Sequence, residues 1–262
     1  MASVVVAGAG QRGLRCAALL ARAGAAVTIV ERLSAPGGRD PERSAGDAAD
    51  SATRSGARLL VDTLALRFDG TFVEVLGADG VSRLPCDAFV VATGSRPASR
   101  AELRITGDRC AGVVPGPAAL RLTWAGVLLG HRPLIAGSGE FALQLAMAQL
   151  GAGASAVALT MPAGARRAPD VGIRVYDGYR VLRVHGAIRV EKAILSNELE
   201  SILVRTDTLI LAAGLRPLRN IEGAIEQREG VFFCQPNRED EGVRGAETAA
   251  SETATRVRAA FG

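Results

Sequence analysis

The chain has 262 residues, an apolar fraction of 48% and a formal net charge of +4, which supplies side chains for one large or two modest cores. Its arginines are scattered singly among few aromatics, so no basic stripe or stacking platform for nucleic acid emerges. Lys192 is the only lysine, which argues against Walker-type phosphate binding and Schiff-base chemistry.

Residues 1–30 carry a glycine motif and an acidic end where a secretory signal needs a basic start, and no apolar run approaches the ~20 residues of a membrane span. A soluble, cytoplasmic protein without membrane contact is the expectation. Cys16, Cys86, Cys110 and Cys234 include no C-x-x-C pair. Spacing therefore offers neither a redox dithiol nor a metal site, and free structural thiols are expected.

In chain order, Ser3 to Ala7 reads as a buried parallel strand, Arg12 to Ala23 as a helix stopped by Gly24, and Ala26 to Val30 as the next strand. Thr71 to Leu76 and Val81 to Leu84 flank the turn Gly77-Ala-Asp-Gly80, a hairpin signal placed between the two halves. Leu134 to Ala136, Phe141 to Leu150 with Gly151 as its stop, and Ala156 to Leu159 repeat the opening βαβ pattern. Gly245 to Phe261 is expected to be a helix able to pack back on the first domain. Pro97 and Pro217 break the chain after motif strands, so the crossings are expected near 98–118 and 217–229.

The chain is internally duplicated. VVVAGAGQRG near the start matches PLIAGSGEFA in the second half, and Asp87-AFVVATGSRP matches Asp207-TLILAAGLRP in the same order. The expected class is α/β, with two nested Rossmann-like dinucleotide-binding domains on parallel sheets. The first (1–112 and 228–262) is completed by a C-terminal segment, and the second spans 113–227.

In Gly8-Ala9-Gly10-Gln11-Arg12-Gly13, the first glycine permits a tight turn, the second admits a pyrophosphate, and the third lets the helix sit close on the strand. Glu31 ends the second strand, where a carboxylate can accept hydrogen bonds from both ribose hydroxyls and repel a 2′-phosphate. FAD or NAD is favoured there over NADP, with Arg32 adjacent.

This motif with Glu31, then Pro36-Gly37-Gly38, Ala92-Thr93-Gly94, a second G-x-G and a second A-x-G, resembles the pyridine nucleotide-disulfide oxidoreductase superfamily over about residues 3–233. The resemblance implies FAD in the first unit, with Gly37, Gly38, Thr93 and Gly94 beside it. Gly112-Val113, Gly116, Ala118-Ala119 and Leu150-Gly-Ala-Gly-Ala are similar to the nucleotide-binding subunits of heteromeric amine and amino-acid dehydrogenases.

Two departures stand out. The family's flavin-meeting Gly-Asp should fall within residues 230–236, where Gln235 and Pro236 stand; Glu239, Asp240 or Glu241 could replace it, or form only a solvated helix start. The second site, Gly137-Ser138-Gly139-Glu140, has alanine at its third small position, no carboxylate after Leu159-Thr160-Met161, and a glutamate where phosphate would sit. Arg166 and Arg167 could pair with a 2′-phosphate, favouring NADP, or be loop charges. NAD(P) there is thus an open option. His131 and His185 match no acid/base position, and no catalytic residue is named.

Three functions follow: an FAD-dependent oxidoreductase passing electrons between NAD(P)H or a partner subunit and a small-molecule acceptor, an FAD- or nucleotide-holding subunit of a heteromeric amino-acid dehydrogenase, or a non-enzymatic dinucleotide-binding protein. Homo- or hetero-oligomers are compatible with each.

Overall fold

The computed structural model describes residues 1–38, 45–161, 172–214, 216–218, 228–234 and 242–261. The chain opens with β1 (Ser3–Ala7), α1 (Gln11–Arg22), β2 (Ala26–Val30), α2 (Ala45–Arg54) and β3 (Arg58–Leu60). Then come β4 (Leu64–Phe68), β5 (Phe72–Gly77) and β6 (Gly80–Pro85), an antiparallel sheet, and β7 (Ala88–Val91). After β8 (Ser95–Arg96), β9 (Thr106–Gly107) and β10 (Val113–Pro115), the alternation restarts with α3 (Gly116–Trp124), β11 (Pro133–Ala136), α4 (Gly139–Gly151), β12 (Val157–Met161) and β13 (Ile173–Asp177). A second antiparallel set, β14 (Arg180–His185), β15 (Lys192–Ser196) and β16 (Ser201–Arg205), precedes β17 (Thr208–Leu211). Last are β18 (Arg216–Pro217), β19 (Val231–Phe233) and α5 (Gly242–Phe261).

Two compact units result, Met1–Ser95 with Pro217–Gly262, and Arg96–Arg216. Each holds a five-stranded parallel sheet, ordered β19-β7-β1-β2-β3 in the first and β10-β17-β11-β12-β13 in the second. The division comes earlier than the boundaries at 112/113 and 227/228 expected from the sequence, for a local reason. β9 pairs with β14 in parallel, and Ile105 joins the core under that sheet, which draws residues 96–112 into the second unit. On the other side, Leu218 N–H donates to the Gly94 carbonyl at 2.9 Å.

The apolar run of β1 is continuous because both of its faces are covered. Val4 and Val6 pack toward α1, α2 and α5, while Val5 and Ala7 pack toward the antiparallel sheet through Phe68, Val73 and Val75. The second unit repeats this division, with Ile135 toward α3 and α4 and Leu134 and Ala136 toward β14 and β15. α5 lies on α1, tied by an Arg15–Glu247 ion pair at 2.6 Å and by Ala250 and Ala254 in the shared core.

Two expectations change. The β5–β6 hairpin, with Gly77 opposite Gly80, lies inside the first unit, since β4 and β5 also pair and β7 follows at once. α4 runs through Gly151, and the left-handed residue that stops it is Gly153 (φ +97°), the counterpart of Gly24 (φ +91°) after α1.

The duplicated aspartates have one structural task. Asp87 Oδ2 accepts the Ser3 N–H at 2.7 Å and the Ser3 hydroxyl at 2.8 Å, fixing the start of β1. Asp207 accepts the His131 and Arg132 N–H groups at 2.8 and 3.1 Å, fixing the approach to β11.

Candidate functional site

The turn from β1 into α1 rests on glycines with no room for a side chain. Gly8 has φ +105°, and a Cβ there would stand 2.5 Å from the Ala92 carbonyl oxygen. A Cβ at Gly13 would stand 1.9 Å from the Gly8 carbonyl oxygen, so α1 sits directly on the turn below it. Gly10 is the N-cap, extended at φ −80° and ψ 177°, and no side chain caps the helix. Such a helix end, carrying backbone donors and roughly half a unit of positive charge, attracts phosphate oxygens. Gln11 and Arg12 are its first two helical residues.

Glu31 follows β2 and is 6% exposed. Its Oε2 accepts the Ala9 N–H at 2.7 Å and its Oε1 the Leu33 N–H at 3.0 Å. A carboxylate offers about four lone-pair sites, so these two bonds orient it and still leave capacity for hydroxyl donors. Arg32 beside it is exposed. The Gly37 N–H donates to the Ala9 carbonyl at 2.9 Å, and a Cβ on Gly38 would stand 3.3 Å from Gly10 Cα. The Pro-Gly-Gly segment is thus drawn onto the glycine turn.

Thr93 and Gly94 leave the end of β7 beside that turn. The Thr93 hydroxyl donates to the Leu218 carbonyl, and Gly94 (φ +77°) accepts the Leu218 N–H. Leu33 and Leu218 are neighbours that sequence reasoning missed, because each acts through its backbone, which leaves no signature in residue type.

In the second unit, the same turn has a different neighbour. A Cβ on Gly137 would stand 2.6 Å from the Ala212 carbonyl carbon, as Gly8 presses on Ala92. Ser138 caps α4 without a side-chain hydrogen bond, Gly139 has φ +83°, and Glu140 stands exposed in the first turn. Ala142 carries a fully buried Cβ where Gly13 has none. Register fixes the rest: Ala7 pairs with Val30 and Ala136 with Thr160, so Met161 occupies the position of Glu31. Met161 is 2% exposed. Arg166 and Arg167 lie outside the described residues, as do Gln235, Pro236, Glu239, Asp240 and Glu241.

Both histidines lie in the second unit. His185 Nδ1 is 3.4 Å from Asp108 Oδ2. The Gly186 N–H and then His185 hold the Asp108 carboxyl below its usual range. No metal-holding group of three or more His, Cys, Asp or Glu side chains occurs among the described residues, and no described helix is long and apolar enough to cross a membrane.

Residues 1–114 match the family model described as pyridine nucleotide-disulphide oxidoreductase. Solved structures with the same fold extend the likeness over both units. Histamine dehydrogenase from Rhizobium sp. 4-9 is 17% identical at a TM-score of 0.72, covering 98% of this chain and 44% of its own. Thioredoxin reductase from Lactococcus lactis is 15% identical at 0.67, covering 99% of each chain. L-proline dehydrogenase from P. horikoshii is 16% identical at 0.67, covering 97% of this chain and 55% of its own. This chain therefore spans about half the length of the two dehydrogenases. No curated protein sequence matches it.

Proposed function

We propose that this chain, which carries the pyridine nucleotide-disulphide oxidoreductase domain at its start and that superfamily's fold throughout, is an FAD-dependent oxidoreductase whose first unit holds the cofactor. The observation that carries the proposal is the Glu31 carboxylate, buried and hydrogen-bonded to the Ala9 N–H beside a glycine turn with no room for a Cβ at Gly8 or Gly13. The residues fit an ADP moiety. The start of α1 would take the pyrophosphate, and the free lone pairs of Glu31 would take the ribose hydroxyls while rejecting a 2′-phosphate. Gly37 and Gly38, held against Ala9 and Gly10, would give the extended cofactor a side-chain-free path. When bound, the flavin supplies the redox chemistry, accepting an electron pair from a reduced donor and passing it on. The protein's share is binding, orientation and electrostatics.

Electrons would come from NAD(P)H at the second unit or from a partner subunit. Likeness in fold to histamine dehydrogenase and L-proline dehydrogenase puts the partner route beside the complete-enzyme route. Met161 at the position of Glu31 points the same way, because the second unit lacks the carboxylate that clamps a ribose.

The test is the visible absorption spectrum of the purified protein, chromatography of any nucleotide released on denaturation, and then addition of NADH and NADPH. A flavin spectrum with released FAD supports the reading, and bleaching by a reduced nicotinamide selects the complete enzyme. Bleaching only after co-expression with a dehydrogenase partner selects the subunit. A colourless protein that cannot be reconstituted with FAD overturns the proposal.

A further inference from the structure

Spacing along the chain gives no reason to pair Cys16 with Cys234, yet the fold brings them into one core. Cys16 is on the second turn of α1 and Cys234 follows the end of β19, with 0% and 1% exposure. Both belong to the cluster formed by α1, α5 and the first parallel sheet. Cys234 Sγ lies 4.0 Å from the Arg12 carbonyl oxygen and 3.7 Å from that of Ala249. Arg12 is one helical turn before Cys16, and helical side chains lean back over that preceding turn. The Cys234 sulfur therefore lies over the helical turn toward which the Cys16 side chain leans, and each thiol perturbs the other's ionisation. Cys86 and Cys110 belong to two other core clusters, away from this pair.

We propose that Cys16 and Cys234 are a reversible dithiol–disulfide pair that, when oxidised, pins the end of β19 to the nucleotide-facing helix α1. The pair stands on its own geometry and holds whatever the glycine turn binds. With Cys234 Sγ 4.0 Å from the carbonyl one turn before Cys16 and both side chains in one core, rotation about the two Cα–Cβ bonds is the motion that would bring the sulfurs to the ~2.05 Å of a disulfide. The neighbouring Cys16, then Thr253 and the charge of Arg12, draw the Cys234 thiol downward against its burial, and Cys234 is therefore taken as the attacking sulfur.

The oxidant is a small-molecule disulfide. Cys234 thiolate attacks one of its sulfurs, forming a mixed disulfide and releasing the first thiolate. Cys16 sulfur then displaces the second thiolate from Cys234, closing the intramolecular bond. Two protein thiols lose two electrons, the small disulfide gains them, and the two thiol protons end on the released thiols.

The experiment incubates the native protein in glutathione buffers of increasing oxidised fraction until the products stop changing. One series is in plain buffer and one in urea just below the unfolding transition, where α5 can open. Acid trapping, alkylation and peptide mass spectrometry then read the products. The expected result is a Cys16–Cys234 linked peptide in at least the urea series, lost in Cys16→Ser and in Cys234→Ser. It should come with a melting temperature raised by about 5–10 °C over the reduced protein. Alkylated Cys16 and Cys234 in both series at the most oxidised poise, or a dominant link through Cys86 or Cys110, overturns the proposal.

Discussion

In the first unit, the glycine turn after β1 meets a carboxylate; in the second, the equivalent turn after β11 meets a thioether. The parallel sheets correspond strand for strand, each unit has an antiparallel sheet before its returning strand, and Gly8 and Gly137 press on Ala92 and Ala212 in the same way. The fold thus depends on apolar runs and missing Cβ atoms, whereas the two units differ in what stands at one strand end. Met161 completes its core as readily as Glu31 completes a hydrogen-bond pair. The duplicated architecture is kept while that polar residue is not.

The comparison breaks most severely at the third small position. Gly13→Ala forces a Cβ to 1.9 Å from a backbone oxygen, and that oxygen belongs to the turn itself. The expected cost is about 3 kcal/mol, at the upper end for overpacking, with loss of any bound dinucleotide. Ala142→Gly, the reverse change in the second unit, should cost only about 1 kcal/mol of helix stability. Urea unfolding with quantitation of bound nucleotide separates them; equal costs would mean that the two helices sit on their turns alike.

Next is Glu31 itself. Glu31→Ala removes charge-assisted hydrogen bonds worth roughly 1.5–3 kcal/mol, about a ten- to hundred-fold loss of dinucleotide affinity. Met161→Leu, close in volume, should cost under about 1.5 kcal/mol of stability and leave that affinity unchanged. Titration of the apoprotein decides, and unchanged affinity in Glu31→Ala would remove the adenosine from this crevice.

Much of this contrast is legible in the sequence. β1, α1 and β2 follow from a two-faced apolar run, helical spacing and Gly24, and the paired Asp87 and Asp207 announce the duplication. Other elements carry weaker signals. α2 buries only alanines, Ala48, Ala49 and Ala52, so its periodicity has little amplitude. In the second unit, β14 (Arg180–His185) interleaves charges with its apolar residues, β16 (Ser201–Arg205) has only three apolar residues, and β9 has only two residues in all. The Cys16–Cys234 meeting has no local signature, because it depends on β19 returning to the first sheet from the far end of the chain. In the candidate site, the side chains could be named from the sequence, whereas backbone partners such as Leu33 and Leu218 could not.

A smaller asymmetry lies on the back of α1 and α4. Leu20 on α1 is buried among apolar neighbours, and its counterpart on α4 is Gln149, fully buried. Gln149 Nε2 donates to Thr123 Oγ1 at 2.6 Å, but Oε1 has no partner among the described residues. Thr123 keeps its own bond to the Ala119 carbonyl at 2.8 Å. Gln149→Leu, which makes the second unit resemble the first, should therefore raise stability by roughly 1 kcal/mol. A loss of stability in urea unfolding would show that the Thr123 bond outweighs the orphaned oxygen.

The smallest expected effect concerns the aspartates that the units share. The Ser3 N–H, then the Ser3 hydroxyl, with the chain's amino terminus adding attraction, hold the Asp87 carboxyl below its usual range. The folded state therefore favours the ionised form more than the unfolded chain does. Its contribution is present above the unfolded value near ~3.9 and disappears as pH falls through the lower folded value. Asp87→Asn should be less stable than the parent at neutral pH, and the gap should narrow below about pH 4, where the parent carboxyl also becomes neutral. Asp87 is exposed, so salt should shrink the gap as well. Unfolding of both proteins from pH 7 to pH 3 reads the difference. A gap independent of pH would assign the loss to hydrogen-bond geometry at Ser3, and the charge would then have no part in holding the start of β1.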